Sequence, residues 1–296
     1  MFSSLISNRT RLAQIGLVFT TLAWGATFVL VKEGLTHAQP FTFGGYRFLI
    51  ATICSAFLVR FQIFQINKQE FYNAVLCGFF LFAGYAFQNF GLWENEFYTS
   101  TTPSKSAFIT SISIIMVPIM LVITGIQKVS SRIWTAILLA TIGLYLLLDP
   151  RGSGISLGDI FTFGCATSFA IHIILQDHYA KKGIHVTRFF FIQVLAVTIF
   201  SFICSFFFDT QSPSWTPELI NALLMTGIIA TTIAILIMVW AQQILSPSQT
   251  ALIFSLEPVF AALFSWILIS ELLGFWGWFG GLLVVFAVIW SESKSD

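Results

Sequence analysis

Apolar runs of about twenty residues follow one another along this chain, interrupted only by short clusters of Gly, Pro, Ser and charge. Few folds are compatible with that pattern. A transmembrane helix needs about 20 mostly apolar residues, and 296 residues hold about ten such segments. The expected spans are 12–31, 41–59, 71–92, 106–124, 133–148, 158–176, 189–208, 219–241, 249–270 and 273–290. Composition agrees: 57% of the residues are hydrophobic and 9% are charged, against about 25% charged in soluble domains. Strict apolar–polar alternation is absent, which argues against a membrane β-barrel. The expectation is an all-α integral membrane protein with no room for a soluble domain or long linker.

Arg9 and Arg11 precede the first apolar run and imitate the basic start of a signal peptide. A signal core spans only about 7–15 residues and ends in a small-residue cleavage site. This run continues to about Val31 with no Ala-x-Ala after it, so it reads as the first span. Lys and Arg are retained on the cytoplasmic side of a bilayer. With the N-terminus inside, Arg9, Arg11, Arg60, Lys68, Lys128, Arg132, Lys181, Lys182, Arg188 and Lys294 are cytoplasmic. Lys32, Lys105 and Arg151 face outward, and Arg47 falls within a span. Both termini are therefore expected inside, in a multi-pass protein of the cell (inner) membrane.

The chain also repeats itself. Pro103-Ser-Lys-Ser-Ala-Phe-Ile-Thr-Ser returns as Pro247-Ser-Gln-Thr-Ala-Leu-Ile-Phe-Ser, at an offset of 247 − 103 = 144 residues. Trp24-Gly-Ala26 meets Ser168-Phe-Ala170, and Glu33 meets Asp177, at the same offset. The halves are thus about 1–150 and 151–296. With five spans between the copies, the halves cross the membrane in opposite senses, an arrangement found in many secondary transporters.

The stretch from Trp240 through Ser246-Pro-Ser-Gln-Thr-Ala-Leu-Ile-Phe-Ser-Leu-Glu257-Pro258 to Gly280, with Trp24-Gly-Ala-Thr-Phe, Tyr46-Arg47-Phe and Phe108-Ile-Thr-Ser-Ile in the first half, resembles the drug/metabolite transporter superfamily, in its EamA-type branch. The resemblance covers essentially the whole chain. It implies ten helices in two inverted five-helix repeats, and transport of an amino acid, related metabolite or drug-like molecule by alternating access without ATP. Export is the expected direction. The halves differ where the second has Glu257-Pro258, the first having Ser113-Ile114 and a later Pro118; Lys128 stands near the place of Glu271.

Glu257 is the foremost candidate residue. It lies about ten residues, or about 15 Å, into the ninth span, where a carboxylate is costly unless it meets a polar cavity or a partner. It is a candidate for substrate or proton handling; a carboxyl that only fixes packing is the alternative. Pro258 should kink the helix by removing a backbone hydrogen bond to Phe254, and Pro118, later than the corresponding position, is the candidate kink in the first half. Arg47 either snorkels to the outer interface or pairs with an acidic group or substrate carboxylate. His172 is the deepest of the four histidines and a candidate for substrate or proton contact, against a packing role. Tyr85, Gln88 and Asn89 cluster within about a turn of one another and, with Trp24, Trp240 and Gln243, are candidate cavity residues. Uncharged polar groups in lipid need internal partners, so hydrogen bonding between helices is the alternative for each. Small residues such as Gly143, Gly280 and Gly281 suit close helix contacts, and the fifth and tenth spans, nearly free of polar residues, are expected away from the pathway.

Other classes fit less well. A net charge of +1 offers no basic field for nucleic acid. Cys54, Cys77, Cys165 and Cys204 lie in apolar segments and suggest neither a disulfide framework nor a zinc site. His37, His172, His178 and His185 form no H-E-x-x-H motif, which disfavours a membrane-embedded enzyme. No ring of charge or carbonyl filter marks a channel. No cofactor and no metal are expected; the partners are a small-molecule substrate and the bilayer, proton coupling being open, and the chain is a monomer or dimer.

Overall fold

The computed structural model describes residues 2–148, 155–269 and 274–292; Arg151, Glu271 and Lys294 lie outside them. All regular structure among the described residues is helical. The order is α1 (Phe2–Gly34), α2 (Pro40–Val59), a 3₁₀ turn (Arg60–Gln65), α3 (Lys68–Leu92), α4 (Pro103–Thr110), α5 (Ser113–Ile123), α6 (Ser131–Leu148), α7 (Leu157–Ala180) and α8 (Val186–Phe208). Then come α9 (Pro217–Leu224), a π-helical segment (Met225–Ile233), α10 (Ala234–Ala241), α11 (Pro247–Phe254), α12 (Glu257–Ile269) and α13 (Phe275–Glu292).

Joined across their internal breaks, these helices form the ten expected spans. Seven are long and apolar enough to cross a bilayer, and Ser131–Leu147 and Phe275–Ser291 are shorter apolar helices. The ninth span is α11 followed by α12. Phe57, Phe206, Leu282 and Ile289 are among the many large apolar side chains left exposed, as lipid-facing surface requires.

The pairs α2–α8 and α6–α13 run antiparallel, whereas α3 and α8 run parallel, with Glu70 beside Arg188 and Phe82 beside Phe200. In α2 and α8, Thr42 Oγ1 meets Ser205 Oγ at 2.8 Å and Thr52 Oγ1 meets Thr198 Oγ1 at 2.9 Å. Thr20 Oγ1 of α1 donates to the Ala234 carbonyl at 3.2 Å. In α6 and α13, Arg132 Nε donates to the Trp290 carbonyl at 2.9 Å, and lower down Gly143 faces Gly280. A Cβ added at Gly143 would lie 2.7 Å from the Gly280 carbonyl oxygen, and one at Gly280 would overlap that of Gly143. Two glycines thereby bring these backbones together, which side-chain packing in lipid favours.

Connections expected on one side of the membrane touch each other. Ser214 N donates to the His37 carbonyl at 2.8 Å, and Lys105 Nζ pairs with Asp159 Oδ2 at 2.6 Å. At the opposite end Arg188 Nε pairs with Glu70 Oε1 at 3.1 Å and Gln243 Nε2 donates to the Ile184 carbonyl at 3.2 Å.

The repeat is visible in the backbone. Helices α4, α5 and α6 begin at 103, 113 and 131; α11, α12 and α13 begin at 247, 257 and 275. The same offset of 144 relates all three pairs. Correspondingly, α5 packs on α7 as α12 packs on α1, and α5 meets α11 near the centre. The two halves are inverted five-helix repeats.

Proline alone does not account for both helix breaks. Sequence places the bends at Pro118 and Pro258; the ninth span is interrupted at 255–256, between Pro258 and the Phe254 carbonyl it cannot bond, but the fourth is interrupted at 111–112, well before Pro118. Pro118 lies inside α5, which continues past it, and Pro258 sits in the first turn of α12, where its missing N–H costs nothing. The shared feature is a serine. Ser111 Oγ donates to the Ala107 carbonyl at 2.8 Å, and Ser255 Oγ to the Leu252 carbonyl at 2.6 Å. At each site the following amide turns to a tighter i→i−3 bond: Ile112 N to Ile109 O and Leu256 N to Ile253 O, both 3.1 Å. Serine hydroxyls that compete for backbone carbonyls bend helices, and these two serines hold the same place in the repeat.

Candidate functional site

Three pairs of positions exchanged by the repeat line one cavity: Phe28 and His172, Thr110 and Phe254, Ser113 and Glu257. The cavity therefore straddles the pseudo-symmetry axis. With the space it opens onto, it measures about 710 Å³. Its walls come from α1, α2, α3, α7, α10 and the two broken spans. No lining residue belongs to α6 or α13, which pack beside it.

Glu257 begins α12 and is buried. The break frees the N–H groups of the first turn of α12, so the carboxylate stands at the positive end of a helix dipole. Its side chain has no hydrogen bond or ion pair among the described residues, and it faces the cavity. Gly25 lets α1 approach this point: a Cβ there would come 2.9 Å from the Glu257 carbonyl oxygen. Ser113, the repeat partner of Glu257, is buried and faces the same space. The scaffold is thus symmetric and its chemistry is not.

Arg47 is buried rather than snorkelling. Its Nε donates to Thr231 Oγ1 at 2.8 Å, and its guanidinium lies 4.4 Å from the centre of the Tyr85 ring. Tyr85 is held by edge contacts with Phe48 and Phe169, at 5.0 and 5.2 Å between ring centres. Cation–π attraction strengthens when the pair is desolvated, so Tyr85 steadies the charge but supplies no counter-ion. Arg47 and Glu257 make no salt bridge with each other.

The π-helical segment was not foreseen from sequence. It carries Thr231, which orients Arg47, and the Ala230 carbonyl, which accepts from Trp24 Nε1 at 2.7 Å. Within it Thr232 Oγ1 donates to the Gly227 carbonyl five residues back at 2.8 Å. Gly227 is where α2 comes close, since a Cβ there would lie 3.0 Å from the Arg47 carbonyl oxygen. The only sequence signal was the cluster Thr226, Gly227, Thr231 and Thr232 in an otherwise apolar run. Trp24 also packs edge-on against Phe254, with ring centres 4.8 Å apart.

Six of the nine residues singled out from sequence line this cavity: Trp24, Arg47, Tyr85, Gln88, His172 and Glu257. Three are placed elsewhere. Asn89 Nδ2 donates to the Pro40 carbonyl at 3.0 Å, tying α3 to the start of α2. Trp240 packs in the apolar cluster around α1 and α11. Gln243 is spent on the Ile184 carbonyl, beyond the end of α10. Sequence reading missed Thr27, Phe28, Thr110, Ser113 and Phe169 as lining residues; the first-half copy of the repeat would have pointed to Thr110 and Ser113.

Among the described residues no group of three His, Cys, Asp or Glu is arranged to hold a metal ion.

Comparisons with known proteins agree with this architecture. The profile of the EamA-like transporter family matches twice, over residues 11–149 and 156–292. A protein of Archaeoglobus fulgidus named an uncharacterized transporter is 34% identical over 277 residues, covering 94% of this chain and 84% of that one. The uncharacterized transporter YoaV of Bacillus subtilis is 21% identical over 269 residues, covering 87% and 88%. A solved crystal structure superposes with a TM-score of 0.76 over 95% of this chain and 96% of that one, at 15% identity, a likeness of fold alone. Two matches of one family profile, laid over two inverted five-helix halves, make this chain a member of the EamA-like transporter family, a multi-pass membrane transporter and not an enzyme.

Proposed function

We propose that the chain is a secondary transporter of a small zwitterionic metabolite, moved outward across the cell membrane by alternating access around the central cavity. The observation that carries this reading is the presence of two opposite charges, Arg47 and Glu257, in one cavity, neither with a counter-ion among the described residues. Buried unpaired charge is expensive, and a ligand bearing both a carboxylate and an ammonium group relieves both costs together. Arg47 takes the carboxylate and Glu257 the ammonium. Thr231, Tyr85 and Trp24 orient the site, and the inverted halves rock about it.

Charge distribution supports cytoplasmic termini, with the Arg9, Arg11, Lys181, Lys182 and Arg188 ends inside. The membrane is then the cell's inner membrane. A second role for Glu257 rests on its missing partner: a carboxyl that exchanges protons with the cavity couples transport to the proton gradient.

Counterflow in proteoliposomes tests the substrate class. Each of the twenty protein amino acids is offered with its N-acetyl and methyl-ester derivatives. Exchange of a free amino acid, lost in both derivatives, is expected. Exchange of uncharged solutes alone would remove the zwitterion reading.

A further inference from the structure

Three buried glutamines form a one-way hydrogen-bond chain that ends on His172. Gln242 Nε2 donates to the Ile173 carbonyl at 3.0 Å. A backbone carbonyl only accepts, so this contact fixes which end of the Gln242 amide is NH₂. Gln242 Oε1 then accepts from Gln176 Nε2 at 2.6 Å, and Gln176 Oε1 accepts from Gln193 Nε2 at 3.1 Å. Gln193 Oε1 is left facing His172 Nε2 at 2.9 Å. That oxygen cannot donate, so Nε2 must carry the proton.

We infer that this chain holds His172 as its Nε2–H tautomer and presents Nδ1 to the transport cavity as a hydrogen-bond acceptor for an N–H or O–H group of the substrate. A neutral imidazole has one N–H, and placing it on Nε2 leaves Nδ1 with a free lone pair. His172 lines the cavity, and no other hydrogen bond to its ring exists among the described residues. The three glutamines and the imidazole are all buried. Each amide in the chain spends one donor and one acceptor, and the chain returns to the turn of α7 that it left. In the first half the repeat partner of His172 is Phe28, which offers no acceptor, so the polar contact belongs to one side of the cavity. Gln193 is a positioning residue that acts through His172; Gln176 and Gln242 act through Gln193. The substrate contact rests on the transporter reading above, whereas the tautomer does not.

Nitrogen-15 NMR of histidine-labelled protein in nanodiscs, without substrate, tests the tautomer. The His172 signals are those missing in His172→Asn. A protonated Nε2 and a bare Nδ1 are expected in the wild type. A protonated Nδ1 or an imidazolium at neutral pH overturns the proposal, and the state is read in the wild-type chain without substrate. Gln176→Met does not touch the ring, yet it frees the Gln193 amide to turn over, so a mixed tautomer signal is expected; an unchanged one overturns the positioning role. An equimolar pool of the twenty protein amino acids is then added. Displacement of the Nδ1 resonance together with thermal stabilisation supports the acceptor role. Thermal stabilisation with an unmoved Nδ1 overturns that role. A pool that does neither counts against the zwitterion reading, the tautomer having been decided by the substrate-free spectrum.

Discussion

Arg47 and Glu257 face the same buried cavity and do not pair with each other. Arg47 reaches Thr231 and the face of Tyr85, and Glu257 reaches no hydrogen-bond donor among the described residues. A structural salt bridge would have closed on itself. Two separated charges leave work for a third party, and each can be removed alone.

Neutralising either charge should separate stability from binding. In Glu257→Gln the empty protein loses an unpartnered buried charge, so its thermal midpoint should hold or rise, by about 1 kcal/mol or more in free energy. Affinity for the exchanged substrate should fall at least about tenfold, or about 1.4 kcal/mol. Arg47→Gln should show the same fall. Thermal unfolding and equilibrium binding on purified protein check both, and a lowered midpoint with unchanged affinity would identify Glu257 as a packing residue.

Gradient dependence should follow Glu257. Wild-type proteoliposomes are expected to respond to an imposed pH gradient, while Glu257→Gln retains exchange and loses the response. Wild-type flux that ignores the gradient would rule out proton coupling.

Gly280→Leu should destabilise without touching the site. Its side chain collides with the Gly143 carbonyl, and overpacking of this kind costs about 1–3 kcal/mol. Because α6 and α13 contribute nothing to the cavity wall, substrate affinity in the folded fraction should stay at the wild-type value. Midpoint and affinity measured on one preparation decide the matter.

Topology is testable with single added cysteines. Phe97, exposed in the loop after α3, should be labelled from outside intact cells as Phe97→Cys. Gln127→Cys, in the exposed loop after α5, should react only after the cells are opened. The reverse pattern would invert the orientation.

How far the sequence reached is clearest in neighbouring residues. Gln88 and Asn89 were indistinguishable as polar residues in one apolar run, yet Gln88 lines the cavity and Asn89 ties α3 to Pro40. Successive residues on a helix point about 100° apart, and the rotation of each helix about its axis is set by its neighbours. The bends show the same limit. Proline was the visible signal, but paired serines at 111 and 255, already present in the repeat, mark where the helices break.

The sequence by itself determined the number of spans, their alternation, the expected side of each loop and the two-fold repeat. Those follow from hydrophobic length, charge and self-similarity, which are properties along one dimension. Only the tertiary structure decided that Arg47 stays buried, that a π-helical segment holds Arg47 and Trp24, and that His172 is reached through Gln193, Gln176 and Gln242. Those contacts join residues 17 to 206 positions apart. In lipid, buried polar groups must find partners inside the protein, and which partners they find depends on how the helices meet.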